Sequence, residues 1–318
     1  MIAEIDNSKR STYAACPRKY LYRCIKNLVP EFGSSALRWG STWHACLEGY
    51  YSSVIKNGYD ADNITPAYNL AKQVWEEESK GMEFYEDYRT LDAVFQSFIE
   101  YLEHYNHDKQ FKNILASERM FRLKLTLTSE EKDIFPFLKH IQLYFTGKLD
   151  LEVELSGQKW IEEFKSTGQP IQLQAQRLNR TPQIIGYNYA AKELGIDIVG
   201  VLTSIHQILS RKKKDGTYGK FTRKFQREPN IFSDGDFIEW RNSFLYTCNQ
   251  IMESIENEFF PQQFDNCFQY GKCSYACLCE QNRPFEELNT DGFIEKEWNV
   301  LETGGSVNEV QILEKQNE

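Results

Sequence analysis

The stretch that most constrains the fold is "TGKLDLEVELSGQKWIEEFKSTG", residues 146–168. Leu149, Leu151, Val153 and Leu155 alternate with Asp150, Glu152 and Glu154, the two-residue period of a half-buried strand. Ser156-Gly157 supplies a two-residue turn, and Trp160 and Phe164 continue the apolar face on the return strand. With those two residues as the loop, paired positions sum to 313, so Asp150 lies opposite Glu163 and Lys165 sits diagonally on the same face. Glu162 falls on the apolar face, against the pattern, unless that end of the sheet is exposed. Facing carboxylates repel, and a divalent cation between them removes the repulsion. Mg²⁺ and Mn²⁺ take carboxylate, carbonyl and water oxygens and can activate a water beside a phosphodiester. A neighbouring lysine can orient or deprotonate that water. A solvated acidic strand face accounts for the same residues, and the hairpin by itself leaves both readings open.

Around the hairpin the pattern changes character. Residues 8–26, 36–57, 65–80 and 88–109 read as helices, with Ser8 or Ser11 as N-caps of the first and Pro17 marking a kink or a late start. Gly40 and Gly49 weaken the second, so close packing must hold it. Residues 113–127, 138–155 and 159–166 alternate as strands do, 170–194 returns to helix, and 198–209 is a buried strand with which 215–227 can pair. An amphipathic helix over 232–260 and a cysteine cluster follow, then an acidic tail. The order predicts an α/β domain with a helical layer. His44 and Glu48 are four apart on one helix, as are Gln183 and Tyr187 on another, so each pair shares a helical face.

The chain has 318 residues and a net charge of −9, which argues against a protein that coats polyanions over its whole surface. Residues 209–227 nonetheless hold eight basic residues and one acid, while 280–318 hold ten acids and three bases. A basic patch on an acidic body can direct a polyanion to one place; a solvated hairpin loop is the plainer account. No run approaches the roughly 20 apolar residues of a membrane span, and the N-terminus shows no secretory h-region. The expectation is a soluble protein of a reducing cytoplasm. There, four of the eight cysteines falling within "CFQYGKCSYACLC" favour metal or iron–sulfur ligation over disulfides.

Taken in order, "LRWGSTWHACLEGYY", "GKLD", "IEEFKST" and "QIIGY" resemble the RecB-type branch of the PD-(D/E)XK nucleases, which includes the CRISPR-associated RecB-like exonucleases and the nuclease domain of AddB. The resemblance spans about residues 8–280. It implies a restriction-endonuclease-like α/β core, a mixed central sheet flanked by helices, with an N-terminal helical layer and a cysteine-rich C-terminal cap. One domain would cover 1–285: a helical part at about 8–110, a catalytic sheet core at about 111–230 and a C-terminal helix and cap at about 231–285, followed by the tail 286–318. Asp150 and Glu163 would be carboxylate metal ligands, joined by the Phe164 backbone carbonyl and by His44. Lys165 would position the water nucleophile. Gln183 and Tyr187 would brace the site or contact the DNA strand, and Glu48 would support a ligand.

The cysteines extend the resemblance. "STYAACPRKYLY" places Cys16, and Cys267, Cys273 and Cys279 follow in C-x5-C-x5-C spacing. Four thiolates suit a [4Fe–4S] cluster, although Cys277 competes with Cys279 for the last position and zinc also takes four thiolates. Cys24, Cys46 and Cys248 read as buried thiols. The implied activity is Mg²⁺- or Mn²⁺-dependent hydrolysis of DNA, most simply by an exonuclease on single strands or ends, in recombination, repair or phage DNA processing, with recombination or replication proteins as partners and the host cytoplasm as location if phage-encoded. Lys212, Lys213, Lys214, Lys220 and Arg223 would hold phosphates, and Tyr218 would stack on bases. An endonuclease of the same chemistry and a non-catalytic, cluster-bearing DNA-binding scaffold are the alternatives.

Overall fold

A computed structural model describes residues 1–80, 88–210, 213–215, 221–269, 271–301 and 313–314. In chain order its principal elements are β1 (Ile2–Ile5), α1 (Asn7–Ala15), α2 (Pro17–Tyr20), β2 (Leu28–Pro30), α3 (Ser35–Asn57), α4 (Ile64–Ser79), α5 (Leu91–His104), β3 (Lys112–Leu125), α6 (Ser129–Ile134), β4 (Gln142–Leu155), β5 (Gln158–Thr167), α7 (Ile171–Leu178), α8 (Pro182–Glu193), β6 (Gly200–Leu209), β7 (Thr222–Asn230), α9 (Asp234–Glu256), α10 (Ala276–Cys279) and β8 (Phe293–Glu295). This is the expected mixed sheet flanked by helices. Its residues group into two compact units, Met1–Phe32 with Met120–Gly147 and Gly235–Glu318, and Gly33–Arg119 with Lys148–Asp234. The C-terminal part expected from about 231 shares its unit with the first 32 residues.

The second unit carries strands in the order β7-β6-β5-β4-β3. The hairpin register is the predicted one: Leu151 pairs with Glu162 and Leu155 with Gln158, each pair summing to 313. Ser156 (φ 50°) and Gly157 (φ 79°) both lie in the left-handed region, as a type I′ turn requires. β5 runs parallel to β6, with Lys165 beside Ile205, and β6 returns antiparallel as β7, from Leu209↔Thr222 to Val201↔Asn230. Leu151, Val153, Trp160 and Phe164 pack with Trp39, Trp43, Leu47, Tyr50 and Tyr51 of α3 and with Phe98 of α5. On the Ile205 side lie Ile171, Ala175 and Leu178 of α7. Gly49 is held by packing, as expected: a Cβ there would come within 2.7 Å of the Pro66 carbonyl of α4.

Glu162 departs from expectation. It does not mark an exposed end of the sheet; it is fully buried. Lys112 Nζ reaches it at 2.5 Å, Arg227 Nε at 2.9 Å, and Ser204 donates a hydrogen bond to it. Arg227 and Lys112 also bind Asp108, at 2.9 and 3.4 Å. Burial favours the neutral acid, but the two cations outweigh it and hold the Glu162 pKa down at about 2. A charge on an apolar face is thus paired inside the core.

Helix 170–194 is two helices. Pro182 lacks an amide hydrogen and restricts the residue before it, so the chain breaks after Leu178 and restarts with Pro182 in the first turn of α8. Strand β7 covers Thr222–Asn230, running three residues past the expected end at 227, while 216–220 lie outside the described residues; β4 starts at Gln142 because 136–138 forms a 3-10 turn. β1 and α6 lay outside the sequence pattern.

In the first unit, β1 pairs in parallel with the start of β4, Ile2 beside Gln142 and Ile5 beside Phe145. Phe145 packs against Phe121, Trp240 and Phe244, at 5.0–5.2 Å between ring centroids. The first predicted helix divides at Cys16, which Pro17 forces into an extended conformation (φ −166°, ψ 114°). Cys16 nonetheless joins the two helices, its amide donating to the Thr12 carbonyl at 3.0 Å and its carbonyl accepting from the Tyr20 amide at 3.1 Å. No described helix is long and apolar enough to cross a membrane.

Candidate functional site

Every residue of the predicted carboxylate–lysine set lies in the second unit. The β4–β5 pairing ends at Leu151↔Glu162, one residue short of Asp150 and Glu163, which lie close enough for the Asp150 charge to act on Glu163. The Phe164 amide donates to Asp150 Oδ2 at 2.8 Å, and His44 Nδ1 stands 3.6 Å from that same oxygen. Glu163 Oε1 accepts from Lys165 Nζ at 2.6 Å and from Gln183 Nε2 at 2.9 Å; Gln183 also lies 3.2 Å from the Tyr187 hydroxyl. Gln183 of α8 therefore holds the β5 carboxylate directly, and Tyr187, one helical turn on, holds Gln183. Replacing Gln183 with leucine should cost about 10–100-fold in cation affinity or activity, the usual scale for a group that orients a ligand. Titration calorimetry with Mn²⁺ checks this, and an unchanged affinity and rate would remove the bracing role.

Two residues that the sequence pattern did not single out complete the cluster. Glu118 of β3 lies with His44 and Asp150, one ligand atom from each falling within 4.8 Å of the others. Lys148, two residues before Asp150 on β4, forms an ion pair with Glu118. Glu118 adopts φ 54°, a conformation that costs a residue other than glycine about 1–3 kcal/mol and that concentrates at functional sites. The signal missed in the sequence was a charged residue interrupting the strand "LASERMF".

The electrostatics follow from the crowding. Burial, and then Asp150, push the Glu163 carboxyl up to about 8 against the pull of Lys165. Burial pushes Glu118 to about 8 as well, with Asp150 and Glu48 adding to it and Lys148 opposing. Burial, reinforced by Asp150, also raises Glu48 against the pull of Lys148. Desolvation works against the Lys165 ammonium, but Glu163 and Asp150 outweigh it and raise its pKa. His44 is lowered, chiefly by desolvation and further by Lys165 and Lys148. A backbone hydrogen bond with Phe164 opposes that shift.

These groups fit a hard divalent cation. The donors are carboxylate oxygens, one imidazole nitrogen and a nearby carbonyl, and Glu163 Oε2 is buried without a hydrogen-bond partner. Glu152 and Glu154 do not join them. Glu152 is buried and bound by Arg119 at 2.8 Å, and Glu154 stands opposite Lys159 in the hairpin.

Arg223 is committed within its unit, donating to Ser97 Oγ at 2.7 Å and to Glu100 at 2.9 Å. Lys213 and Lys214 are exposed, whereas Lys212, Tyr218 and Lys220 lie outside the described residues. Cys16, Cys267, Cys273 and Cys279 are free thiols of the first unit. The Cys279 thiol is raised by burial and by Cys16 and Cys273, and Cys267 by partial desolvation and by the same two neighbours. Among the described residues no three sulfurs approach within 4.8 Å of one another.

None of the curated proteins matches the sequence. A candidate exonuclease from Eubacterium rectale, solved by crystallography, aligns with 12% identity and a TM-score of 0.47, covering 96% of this chain and 94% of its own. The crystal structure of SSO0001 aligns with 7% identity and a TM-score of 0.26, over 67% of this chain and 83% of its own. The PD-(D/E)XK nuclease superfamily model matches residues 7–280. With the sheet, the Asp150–Glu163–Lys165 set and that match in hand, the chain belongs to the PD-(D/E)XK nuclease superfamily.

Proposed function

We propose that this nuclease is a DNA exonuclease of the RecB-like branch that depends on Mg²⁺ or Mn²⁺ and acts on single strands or ends. The observation that carries the metal dependence is the convergence of His44, Glu118 and Asp150 within 4.8 Å; Glu163 is not in that group, but its buried Oε2 has no hydrogen-bond partner. His44, Asp150, Glu163 and the Phe164 carbonyl would hold the cation, with Glu118 as a further carboxylate. When bound, such an ion neutralises charge on a phosphodiester and makes a water more acidic. Lys165, anchored at 2.6 Å on Glu163, orients the attacking water and offsets phosphate charge. Gln183 and Lys165 occupy Glu163 Oε1, which would leave Oε2 available as the ligand oxygen.

Linear and circular single-stranded DNA with Mn²⁺ test the reading together. Degradation of the linear strand alone is expected. Opening of the circle would replace the exonuclease with an endonuclease of the same chemistry, and no hydrolysis of either under any divalent cation would remove the activity. Because Glu163 and Glu118 hold protons up to about pH 8, cation affinity should climb as pH rises from 6 to about 8 and then level off.

A [4Fe–4S] cluster on Cys16, Cys267, Cys273 and Cys279 belongs to the same proposal. Its support is the shared unit, the place of Cys16 at the junction of α1 and α2, and the electrostatic reach of Cys16 and Cys273 on both other thiols. Cys277 is absent from those influences. A single zinc would draw its sulfurs to about 3.8 Å apart, given Zn–S bonds of about 2.3 Å in a tetrahedron. A [4Fe–4S] cluster binds each thiolate to a different iron and so spaces them more widely. Protein purified without oxygen should be brown and should lose its colour in a Cys273→Ser variant; a colourless protein containing zinc would refute the cluster.

A further inference from the structure

The cation-site reading leaves one strong contact unexplained. Lys148 lies beside the predicted ligands, on the strand that carries Asp150, and its ammonium is spent on Glu118. It also senses Glu48 and Asp150, so one ammonium faces three carboxylates. The site therefore holds two lysines with distinct posts. Lys165 sits on Glu163, and Lys148 sits on the Glu118 side. Both side chains are 24% exposed, so neither is sealed in the core. Glu118 in turn is kept at φ 54°, and backbone held in this costly region is over-determined by its surroundings.

A cation cannot share a carboxylate cluster with an adjacent ammonium without repulsion between like charges. Glu118 is one of the three residues whose ligand atoms converge. If it turns to a divalent ion, Lys148 loses its partner at the moment when a polyanion needs neutralising. We propose that Lys148 is the site's internal counter-cation: it holds Glu118 while no metal is present, and its ammonium passes to a DNA phosphate when a divalent cation takes that carboxylate. Cation binding and DNA binding are then coupled through one side chain, and the ion and the DNA each strengthen the binding of the other. Lys148 is a positioning residue toward the metal and a binding residue toward the phosphate. This rests on the metal-site reading given above.

The test uses the full-length protein with Ca²⁺ as the cation and a short fluorescein-labelled single strand as the DNA. Lys148→Met should bind Ca²⁺ about ten-fold more tightly by calorimetry, because a like charge has left the site. The double variant Lys148→Met with Glu118→Gln should bind it more weakly than the wild type, since a ligand is lost as well. If Glu118 merely neutralised Lys148, the double variant would return to the wild-type affinity, and the proposal would fall. On DNA, the wild type should gain affinity when Ca²⁺ is added, and Lys148→Met should lose most of that gain. The wild-type salt slope with Ca²⁺ should also be steeper by about 0.7, one phosphate contact on a single strand. Unchanged Ca²⁺ affinity, or an unchanged slope, in a folded Lys148→Met protein overturns the inference. Absence of Ca²⁺ binding in the wild type, with no weakening in Asp150→Ala, would instead overturn the metal site itself. The double variant guards against misfolding, because it leaves no buried charge unpaired.

Discussion

Asp150→Ala should lower DNA hydrolysis by at least about a thousand-fold while leaving the protein folded. Asp150 Oδ2 meets both the Phe164 amide and the His44 imidazole, so its loss removes a carboxylate from the centre of the site. Charge stabilisation of several kcal/mol is at stake, and about 1.4 kcal/mol is a factor of ten in rate. Glu152→Gln and Glu154→Gln are the internal controls. They sit on the same strand face, yet Glu152 is bound by Arg119 and Glu154 stands opposite Lys159, so activity should persist in both. Single-turnover rates on labelled linear DNA with Mn²⁺ decide the matter: equal rates for wild type and Asp150→Ala would refute the site, and collapse of the Glu154→Gln rate would extend it along the strand.

Glu162→Gln should destabilise the fold by about 3 kcal/mol. Removing one partner from a buried ion pair costs about 3–5 kcal/mol because a charge is stranded, and Asp108 remains to hold Arg227 and Lys112, which favours the lower end. A drop in the urea midpoint at constant slope measures it; a change under about 0.5 kcal/mol would mean that the cluster is hydrated. The pH dependence carries its own signature. The folded pKa of about 2 lies below the ordinary carboxylate value. The contribution of Glu162 is therefore present above about pH 4.5 and disappears as pH falls towards 2. The wild type should converge on Glu162→Gln in acid. Glu118 and Glu163 act in the opposite sense. Their folded pKa values are raised, so without metal they favour the folded state at low pH and their contribution is lost as pH rises through about 8.

Much of the site could be read from local pattern. Asp150, Glu163 and Lys165 are related by a two-residue turn whose residues fix the register, and Gln183 and Tyr187 by the turn of a helix. Glu118 and Lys148 could not be read in this way. Glu118 sits on another strand with unusual backbone, and its importance appears only when that strand lies beside β4. Glu162 was misjudged because alternation assigns a face but cannot say what waits on it; Lys112, Asp108 and Arg227 come from distant parts of the chain. Arg223 looked like part of a free basic patch because sequence charge counts cannot show that Glu100, 123 residues earlier, already holds it.

By itself the sequence determined the hairpin, its register, the break at Pro17 and the order of the catalytic motifs, because each depends on residues within one turn or one strand pair. The tertiary structure alone decided which carboxylates meet. It separated the partnered acids Glu152 and Glu162 from the convergent set of His44, Glu118 and Asp150. The physical reason is that burial and like-charge proximity, which set both the protonation and the metal fit of these groups, are properties of contacts between segments that the chain keeps far apart.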